Sequence, residues 1–511
     1  MAGKVYLVGA GPGDPKLITL RGLECIAQAD VIIYDRLATN LLFEHAKPDA
    51  EFIYVGKAEG KHSVKQEDIN RMLVEKAKQG KIVTRLKGGD PLIFGRGGEE
   101  ALVLVENKIE FEFVPGVSAG NAVPAYAGIP VTHRGTTSTV AYVTGHEDPL
   151  KPSTDINWES LVGIGTIIFY MGMRNLPSIV SQLIKHGRSK DTPVAIVRWG
   201  TTPQQQTVIG TLEDIVDKVM KANLKAPCII IVGDVVKLRD RLIWYEKKPL
   251  FGKRILVTRA KEQAGMLSDL LSKLGGQPIE VPMIRIVDPD SFDSIDKAIS
   301  RLENGPGYDW VIFTSANGVE FFTKRMRFLG KDIRILSGSK IAVIGPATAR
   351  AVKKLLINID VTPEEYVAEG LIEELKKAGI EGRSFLIPRA KVARDILPQT
   401  LREMGGEVDV VEAYQTVLND LAAAKIKEML SERSIDMVTF TSSSTVNNFA
   451  KLVGSDLKEL MQGIAIAVIG PVTAETVAEH GLNPDIVAEE YTIPGLVNAI
   501  VKNQAKEASL V

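Results

Sequence analysis

Two glycine-rich loops within the first hundred residues have the composition of ligand-binding loops. The first, VGAGPGD (8–14), follows an apolar run and precedes a helical pattern. That arrangement binds dinucleotides when the glycines are spaced Gly-x-Gly-x-x-Gly. Here the third glycine position of the fingerprint holds Asp14, and its negative charge opposes a pyrophosphate. The loop therefore disfavours NAD or FAD, and no Gly-Lys pair is followed by the Ser or Thr of a phosphate-binding P-loop.

The second loop, KGGDPLIFGRGGEE (87–100), allows two interpretations. Gly88 and Gly89 let the backbone approach a ligand closely, and Asp90 with the exposed amides could hold a ribose or an amino-acid head. Alternatively the segment is a plain strand-to-helix turn, with Glu99 and Glu100 in the first turn of the helix. The loop alone leaves both open.

Two further segments carry polar or small residues in loops. VGKAEGKHS (55–63) places Lys57, Lys61 and His62 together, either as a carboxylate-binding or acid–base loop or as a solvated surface loop. VPGVSAGNAVPAYAGIPVTHRG (114–135) is small and apolar, and either lines an apolar pocket or links two α/β units.

Composition narrows the class of protein. The 511 residues predict three or four domains, and 62 basic against 63 acidic residues give a net charge of −1. This balance argues against nucleic acid and membrane surfaces as partners, so an anionic ligand must meet local basic clusters. Two cysteines, Cys25 and Cys228, are too few for a zinc site or a disulfide framework, and no metal site is expected. The absence of a signal-peptide pattern, and the prolines and glycines that break the uncharged stretch 113–132, predict a soluble cytoplasmic protein.

The elements that would position these loops alternate between strands and helices. Strands are predicted at 4–10, 30–35 and 81–89, with helices at 17–29 and 63–80, and further strands at 138–146, 165–173, 192–200 and 227–236. This order predicts two α/β units of parallel sheet covered by helices. The charged segment YEKKPLFGKR (245–254) is the best candidate for a linker.

The second half repeats itself. Three blocks recur in the same order: 252–281 as 382–411, 308–322 as 435–449, and 340–352 as 464–477. The repeats predict a duplication that gives two similar α/β domains around a cleft. Serines and threonines in FTSANG (313–318) and FTSSST (440–445), and Thr348 and Thr473 in the two IGP motifs, are either helix caps or ligands for carboxylates.

Taken together, the first-half motifs resemble the tetrapyrrole methylases, and most closely the uroporphyrinogen III C-methyltransferases. The resemblance covers about residues 3–245 and rests on VYLVGAGPGDPKLITLRG, YDRL, VGKAEGKH, GGDPLIFGRGGEE, PAYAGIPVTHRG, FYMGM and RWGTTPQQQ. It implies S-adenosyl-L-methionine as methyl donor, with S-adenosyl-L-homocysteine as product, bound between the two α/β units. The implied cofactor-binding residues are Pro12, Gly88, Gly89, Asp90, Ile93, Ser118, Ala119, Met171 and Gly200.

The same resemblance implies that uroporphyrinogen III is methylated twice to precorrin-2. It assigns Asp35 as proton acceptor and Lys57 as proton donor, and it suggests a homodimer through the first half. The substrate carries eight carboxylates, so Lys57, Lys61, Arg85 and Arg134 are candidate clamps.

The second half resembles uroporphyrinogen III synthase over about residues 252–505. The motifs are ILVTRA, FTSANGV, IGPATA, LIPRA, EAYQT, FTSSS and IGPVTA. The resemblance implies cyclisation of hydroxymethylbilane to uroporphyrinogen III with inversion of the last ring. It implies two α/β domains joined by crossing strands at PMIRI (282–286) and EAYQT (412–416). Tyr414 would assist departure of the hydroxyl, and Thr473 would bind a substrate carboxylate.

The predicted fold class is therefore α/β: a tetrapyrrole-methylase fold of two α/β units followed by a two-domain α/β synthase fold. The predicted ranges are 1–245 (units 1–130 and 131–245), a linker at 246–252, and 253–511, divided into 253–284 plus 415–505 and 285–414. Two alternatives stay open. The second half is a non-catalytic two-domain ligand-binding module, or the first half methylates a later corrin intermediate.

Overall fold

The structure is a computed structural model that describes residues 3–56, 64–145, 154–259 and 261–509. It divides into two units. One comprises Met1–Arg254 with Asp269–Gln277 and Val501–Val511, and the other comprises Ile255–Ser268 with Pro278–Ile500. Across the described ranges, none of the helices combines the length and apolar character needed to cross a bilayer.

The first sheet carries both glycine-rich loops. Its strands are β1 (Lys4–Gly9), β2 (Val31–Tyr34), β3 (Glu51–Tyr54), β4 (Ile82–Lys87) and β5 (Glu110–Val114). They are ordered β3-β2-β4-β1-β5 and every pairing is parallel. The helices are α1 (Leu20–Gln28), α2 (Gln66–Lys78), α3 (Gly97–Glu106) and α4 (Ala119–Tyr126), with 3-10 turns at Pro15–Leu17 and Asn40–His45.

Alternation of apolar side chains explains why this sheet is covered on both faces. Val5 and Leu7 pack in one core with residues of α2 and α3, and Tyr6 and Val8 pack in another with residues of α1. The predicted strands 4–10, 30–35 and 81–89 are confirmed to within two residues of their ends. Gly80, the last residue of the helix predicted at 63–80, follows α2 with φ 78°.

The second sheet differs from the predicted all-parallel arrangement. Its strands are β6 (Val140–Thr144), β7 (Thr166–Tyr170), β8 (Pro193–Arg198), β9 (Gln206–Thr211) and β10 (Cys228–Val232), ordered β6-β7-β10-β8-β9. Only β6 and β7 pair in parallel, and the other three pairings are antiparallel. Residues 199–205 are too few to cross over between parallel strands, so β8 and β9 must run antiparallel. The helices are α5 (Trp158–Leu161), α6 (Leu176–Lys185), α7 (Ile215–Lys221) and α8 (Arg239–Leu242), with 3-10 turns at Met173–Asn175 and Asp234–Leu238.

The start of the predicted linker is held against this second sheet. Glu246 accepts hydrogen bonds from the Gln205 amide and the Thr207 hydroxyl, and its other oxygen pairs with Arg239 at 2.6 Å. Tyr245 beside it is buried. The charged residue Glu246 of this segment therefore forms a specific ion pair and is not merely solvated.

The second half of the chain contains two more five-stranded sheets. Their strands are β11 (Arg254–Val257), β12 (Gln277–Glu280), β13 (Ile284–Val287), β14 (Trp310–Phe313), β15 (Lys340–Val343), β16 (Ser384–Ala390), β17 (Glu407–Leu418), β18 (Met437–Phe440), β19 (Ala465–Val468) and β20 (Ile486–Val487). The third sheet is ordered β12-β11-β18-β19-β20, and the fourth is ordered β13-β17-β16-β14-β15. Each order brings strands that are distant in sequence side by side.

Helices flank both of these sheets. They are α9 (Lys261–Lys273), α10 (Asp293–Asn304), α11 (Ala316–Phe328), α12 (Pro346–Lys353), α13 (Ala368–Ala378), α14 (Ile396–Glu403), α15 (Asp420–Ser431), α16 (Ser443–Val453), α17 (Leu457–Leu460), α18 (Pro471–Glu479) and α19 (Ile493–Ser509), with 3-10 turns at Ile333–Leu336 and Gly454–Asp456. The two segments predicted to cross between domains lie in β13 and β17. These strands pair antiparallel from Ile284 with Leu418 to Val287 with Gln415.

The duplication predicted from the sequence recurs in local structure. Ser315 at the start of α11 and Ser442 at the start of α16 each accept a hydrogen bond from the backbone N–H three residues later. Asp360 and Asp485, 125 positions apart, each accept at 2.7 Å from the second residue of the preceding strand. Matched caps and strand contacts at matched offsets indicate two copies of one unit.

Candidate active site

The two glycine-rich loops of the first half meet at the carboxyl ends of their strands. Gly11 and Gly89 exchange backbone hydrogen bonds of 3.2 Å and 2.7 Å. A Cβ atom added to Gly9 would lie 2.5 Å from the Cα atom of Gly116. Glycine is therefore required where β1, β4 and β5 end, because three backbones approach one another with no room for side chains.

Acidic side chains brace these loops from within. Asp90 accepts hydrogen bonds from the backbone N–H groups of Leu92, Ile93 and Gly116. Asp14, whose charge disfavoured a dinucleotide, accepts from the Lys16 N–H and from the Tyr126 hydroxyl. Both carboxylates hold the loops in place, so the turn interpretation and the ligand-loop interpretation of the second loop are compatible.

A cavity of about 550 Å³ opens beside these loops, and residues that follow strands of both sheets line it. Its volume lies within the range of small-molecule sites. All nine residues that the sequence predicted for cofactor binding are in its wall: Pro12, Gly88, Gly89, Asp90, Ile93, Ser118, Ala119, Met171 and Gly200. Their individual roles stay predictions.

Glycines shape the cavity wall into a cradle that fits a cofactor. A Cβ atom on Gly200 would lie 2.5 Å from a methyl carbon of Val123, and one on Gly88 would lie 2.5 Å from the Cβ atom of Leu37. Gly89 has a φ of 72°, which favours glycine. Side chains at Gly88 and Gly200 would collide with other residues of the wall, so glycine at these positions preserves the shape of the cavity.

Tyr170 links the two sides of this wall. Its hydroxyl accepts from the backbone N–H of Gly120 at 2.7 Å and shares a 2.6 Å hydrogen bond with the Ser118 hydroxyl. Burial raises the pKa of Tyr170, and these two hydrogen bonds oppose the rise. Tyr170 was not among the predicted site residues, although it lies within the FYMGM motif beside Met171.

Strained backbone surrounds the cavity. Phe94, Met171 and Trp199 line it with φ values of 54°, 55° and 48°. Non-glycine residues in this left-handed region cost free energy and cluster at functional sites. Neither Phe94 nor Trp199 could be predicted from the sequence, because the residue type does not indicate a positive φ in either case.

Asp35, the predicted proton acceptor, is also in the cavity wall. One carboxylate oxygen accepts from the Leu37 N–H at 3.0 Å, and the other lies 3.5 Å from the guanidinium of Arg85. The predicted proton donor Lys57 lies outside the described residues, as do Lys61 and His62. Arg134, a predicted clamp, is exposed and is not in the wall of this cavity.

Basic side chains outnumber acidic ones around the cavity. Four basic residues line it, namely Arg36, Arg85, Lys87 and Arg96, together with the two acids Asp35 and Asp90. The Arg36 guanidinium lies over the Trp199 ring, 5.9 Å from its centroid. Arg85 and Lys87 also pair with Glu100, and Arg96 pairs with Glu99, so part of this positive charge is balanced by carboxylates behind the wall.

A buried ion cluster lies behind the Asp35 side of the cavity. Arg85 and Lys87 are 4% exposed and Glu100 is fully buried. One Glu100 oxygen lies 2.7 Å from the Lys87 ammonium and 3.3 Å from the Arg85 guanidinium. Burial, and then the charge of Arg85, lower the pKa of Lys87, while Glu100 opposes the lowering.

No role was predicted for Lys87 from the sequence, and Glu100 was placed only in the first turn of a helix. The sequence of β4 nevertheless contains a pattern that indicates a buried ion cluster. Arg85 and Lys87 alternate within an apolar strand, so both point to one covered face of the sheet. Two buried cations on one face require a buried carboxylate partner.

Of the two residues predicted for the second half, Tyr414 lies in a strand of the fourth sheet, and Thr473 lies in a helix that follows a strand of the third sheet. Tyr414 in β17 is buried, and its hydroxyl is 3.0 Å from that of Ser315. Thr473 is buried in the first turn of α18, which follows β19. A cavity of about 280 Å³ near the carboxyl ends of β14 and β16 is lined by Thr314, Arg389 and others, but by neither predicted residue.

Comparison with known proteins identifies both halves. Residues 4–216 match the family described as Tetrapyrrole (Corrin/Porphyrin) Methylases. Residues 266–498 match the family described as Uroporphyrinogen-III synthase HemD. The fold and the glycine-lined cavity thus belong to a two-part α/β enzyme.

Some relatives match nearly the whole chain, and others match about half of it. Porphyrin biosynthesis protein HemD of Ruminiclostridium josui is 38% identical over 508 residues, 98% of this chain and 98% of that protein. Uroporphyrinogen-III C-methyltransferase of Priestia megaterium is 58% identical over 235 residues, 46% of this chain and 98% of that protein. The S-adenosyl-L-methionine-dependent uroporphyrinogen III methyltransferase of Methanosarcina barkeri is 52% identical over 241 residues, 47% of this chain and 94% of that protein.

The chain therefore belongs to the family that joins a tetrapyrrole methylase to a uroporphyrinogen-III synthase in one polypeptide. The predicted family, the α/β fold class in two parts and the two enzyme classes are confirmed. S-adenosyl-L-methionine is likewise confirmed as the cofactor of the methyltransferase half.

Proposed function

We propose that the first half methylates uroporphyrinogen III twice to give precorrin-2 through a monomethylated intermediate. The observation that carries this proposal is the cavity of about 550 Å³, because one wall combines the nine motif residues with Asp35 and four cations. The cations suit a substrate with many carboxylates.

When bound, the cofactor supplies an electrophilic methyl group on a sulfonium. The residues of the chain bind and orient the cofactor and move the protons. The glycine loops and the pair Ser118–Tyr170 hold the cofactor in one orientation, which aligns the methyl group with a pyrrole carbon. Asp35 stabilises the positive charge that develops on the ring and takes the proton that the ring must lose. Lys57 is proposed to return a proton elsewhere on the macrocycle.

The test of this half is a methylation assay on the purified chain. Uroporphyrinogen III and methyl-labelled S-adenosyl-L-methionine are supplied without other enzymes, and products are identified by mass. The proposal predicts a product two methyl groups heavier than the substrate. Absence of any methyl gain, or methylation of only a later corrin intermediate, contradicts it.

For the second half, we propose cyclisation of hydroxymethylbilane to uroporphyrinogen III with inversion of the last ring. Loss of the hydroxyl leaves a cationic azafulvene, and attack at a substituted carbon gives a spiro intermediate. Tyr414 assists departure of the hydroxyl and Thr473 binds a carboxylate. The hydrogen bond between Tyr414 and Ser315 supports the first role, since it fixes the direction of the phenol.

This half is tested without the methyl donor. Hydroxymethylbilane is incubated with the purified chain, and the isomer of the product is determined. Formation of the type III isomer faster than spontaneous closure supports a synthase. The type I isomer alone supports a ligand-binding module in place of an enzyme.

We further propose the domain ranges 1–245, 246–252 and 253–511, and a homodimer through the first half. The exposed Leu92, Leu102 and Val105 support an apolar interface on the first unit. Analytical ultracentrifugation tests the dimer, and a monomer at micromolar concentration contradicts it. Calorimetry tests the domains, because S-adenosyl-L-homocysteine should raise the unfolding temperature of only one of two transitions.

A further inference from the structure

One buried glutamate has no part in the chemistry described above, although it lies against the residues that perform it. Glu100 is fully buried in the first turn of α3 and does not line the cavity. One of its oxygens lies near three donors, namely the Lys87 ammonium at 2.7 Å, the Gln66 amide at 3.1 Å and the Arg85 guanidinium at 3.3 Å. All three donors belong to residues that line the cavity.

The geometry continues from Arg85 to the proposed proton acceptor. Glu100 binds the guanidinium through Nε, and Nη2 lies 3.5 Å from the nearer Asp35 oxygen. A second terminal nitrogen, Nη1, donates to the carbonyl oxygens of Ile33 and Leu86. The guanidinium is therefore held on both sides, and its remaining nitrogen faces Asp35.

We propose that Glu100 is a positioning residue for methyl transfer, which holds Arg85 and Lys87 so that the guanidinium of Arg85 meets Asp35 in a fixed direction. This inference rests on the proposed methylation by the first half. It assigns no contact between Glu100 and either substrate.

A structural role alone does not explain the cluster. Replacing buried ion groups by apolar residues of similar volume is often neutral or stabilising, so stability does not require charges here. Within the described part of the chain, the second Glu100 oxygen is buried and has no hydrogen-bond partner. One Glu100 oxygen therefore receives all three donors, whereas the other receives none from the described residues. This arrangement fixes the positions of the three donor groups, although it leaves a buried oxygen unsatisfied.

The charge of Glu100 also favours the protonated form of Lys87. The charged groups acting on Lys87 come from three elements: Asp35 after β2, Arg85 in β4 itself and Glu100 in α3. Burial and Arg85 lower the pKa of Lys87, whereas Glu100 and Asp35 raise it. Removal of the Glu100 charge therefore lowers the pKa of Lys87 further, and Lys87 loses its proton at a lower pH.

The test compares Glu100→Gln with Glu106→Gln in the full chain. Glu106 is the exposed last residue of the same helix and serves as the matched control. Misplacement of a catalytic group costs up to about a hundredfold in rate, so Glu100→Gln should lower kcat by about tenfold to a hundredfold. The KM for S-adenosyl-L-methionine should stay near the wild-type value, and the alkaline limb of the pH–rate profile should move to lower pH. Glu100→Asp, which keeps the charge, should recover part of kcat.

A wild-type kcat and an unchanged pH profile in Glu100→Gln would overturn the proposal. If that variant does not fold, the double variant Lys87→Met with Glu100→Gln removes one charge of each sign and should fold. It should still be slow, because Arg85 lacks its tether, and a wild-type rate in it overturns the proposal.

One readout separates this inference from the proposed function. NMR of lysine-labelled protein follows the titration of Lys87 without any substrate. If the wild-type chain fails to methylate uroporphyrinogen III, the proposed function is wrong, and the titration then tests only whether Glu100 stabilises the charge of Lys87. If the titration midpoint of Lys87 is lower in Glu100→Gln than in Glu106→Gln, Glu100 stabilises the charged cluster. Equal midpoints overturn this.

Discussion

The two halves of the chain bury different kinds of polar group. Among the described residues, the buried charged side chains, Arg85, Lys87, Glu100 and Arg239, all belong to the first half. The buried polar residues of the second half are all threonine, serine, asparagine or glutamine. Both halves are α/β and similar in length, so fold class alone does not explain the contrast.

The proposed chemistry accounts for three of these buried charges, Arg85, Lys87 and Glu100, whereas Arg239 pairs with Glu246 and does not line the cavity. Methyl transfer to a pyrrole carbon requires a proton acceptor and a stabilised ring cation, and both need charged groups in fixed directions. Buried charges are costly, so they are retained where a site uses them. Ring closure of a flexible chain requires mainly that the chain be held, and hydroxyls at helix starts such as Ser315 and Ser442 suit that task.

The largest expected effect is that of Asp35→Asn. Loss of a general base lowers rates by about a hundredfold to ten-thousandfold, so this variant should lose most methylation. Cofactor binding, measured by calorimetric titration, should be retained, and formation of uroporphyrinogen III by the second half should be unchanged. The exposed Asp49→Asn is the control. Near-normal turnover in Asp35→Asn would remove the base assignment and, with it, the reason for charges in the first half.

The next largest effect is expected for Gly200→Ala. Its new Cβ atom would lie 2.5 Å from the stiff β-branched side chain of Val123, so the cavity wall must shift. We expect a cofactor dissociation constant at least about tenfold higher, equal to 1.4 kcal/mol. Gly98→Ala is the matched control, since a Cβ atom there meets no atom within 4 Å. Equal cofactor dissociation constants for the two variants would show that Gly200 does not shape the cofactor site.

A smaller effect is expected for Tyr170→Phe. Without the hydroxyl, the Ser118 hydroxyl and the Gly120 N–H lose a partner inside the wall. An unsatisfied buried polar group costs about 1–3 kcal/mol, shared between stability and cofactor affinity. Thermal unfolding with and without S-adenosyl-L-homocysteine measures both. A variant as stable as wild type, with unchanged affinity, would show that the hydroxyl is dispensable.

The smallest effect is expected in the second half, for Tyr414→Phe. The departing hydroxyl would lose one neutral hydrogen bond from the phenol, worth about 1 kcal/mol, or roughly fivefold in rate. Isomer analysis after incubation with hydroxymethylbilane measures the synthase rate, while methylation of supplied uroporphyrinogen III should not change. If Tyr414→Phe and Thr473→Ala both keep the full synthase rate, neither residue has a site role.

Sequence predicted well those features that depend on short, contiguous motifs. The loops that carry Pro12, Gly88 and Ser118 follow strands of one parallel sheet, and the carboxyl ends of such strands meet at one edge. Their convergence on one cavity therefore follows from strand order. The repeats of the second half likewise predicted matched positions for serines that are either helix caps or carboxylate ligands, and Ser315 and Ser442 form helix caps.

Features that depend on packing between elements were beyond the sequence. The antiparallel place of β10 between β7 and β8 follows from sheet assembly and not from any motif. Glu100 meets Lys87 only because α3 packs on the face of β4 that carries both cations. Lys57 lies outside the described residues, so its role as proton donor stays a prediction from the sequence.

Hydroxymethylbilane and S-adenosyl-L-methionine supplied together test whether one chain makes uroporphyrinogen III and then methylates it. Wild type and Asp35→Asn are compared, and products are identified by isomer and by mass. We predict a type III tetrapyrrole with two added methyl groups from wild type, and unmethylated uroporphyrinogen III from the variant. Only the type I isomer from wild type, or a type III product without methyl gain, would contradict the account.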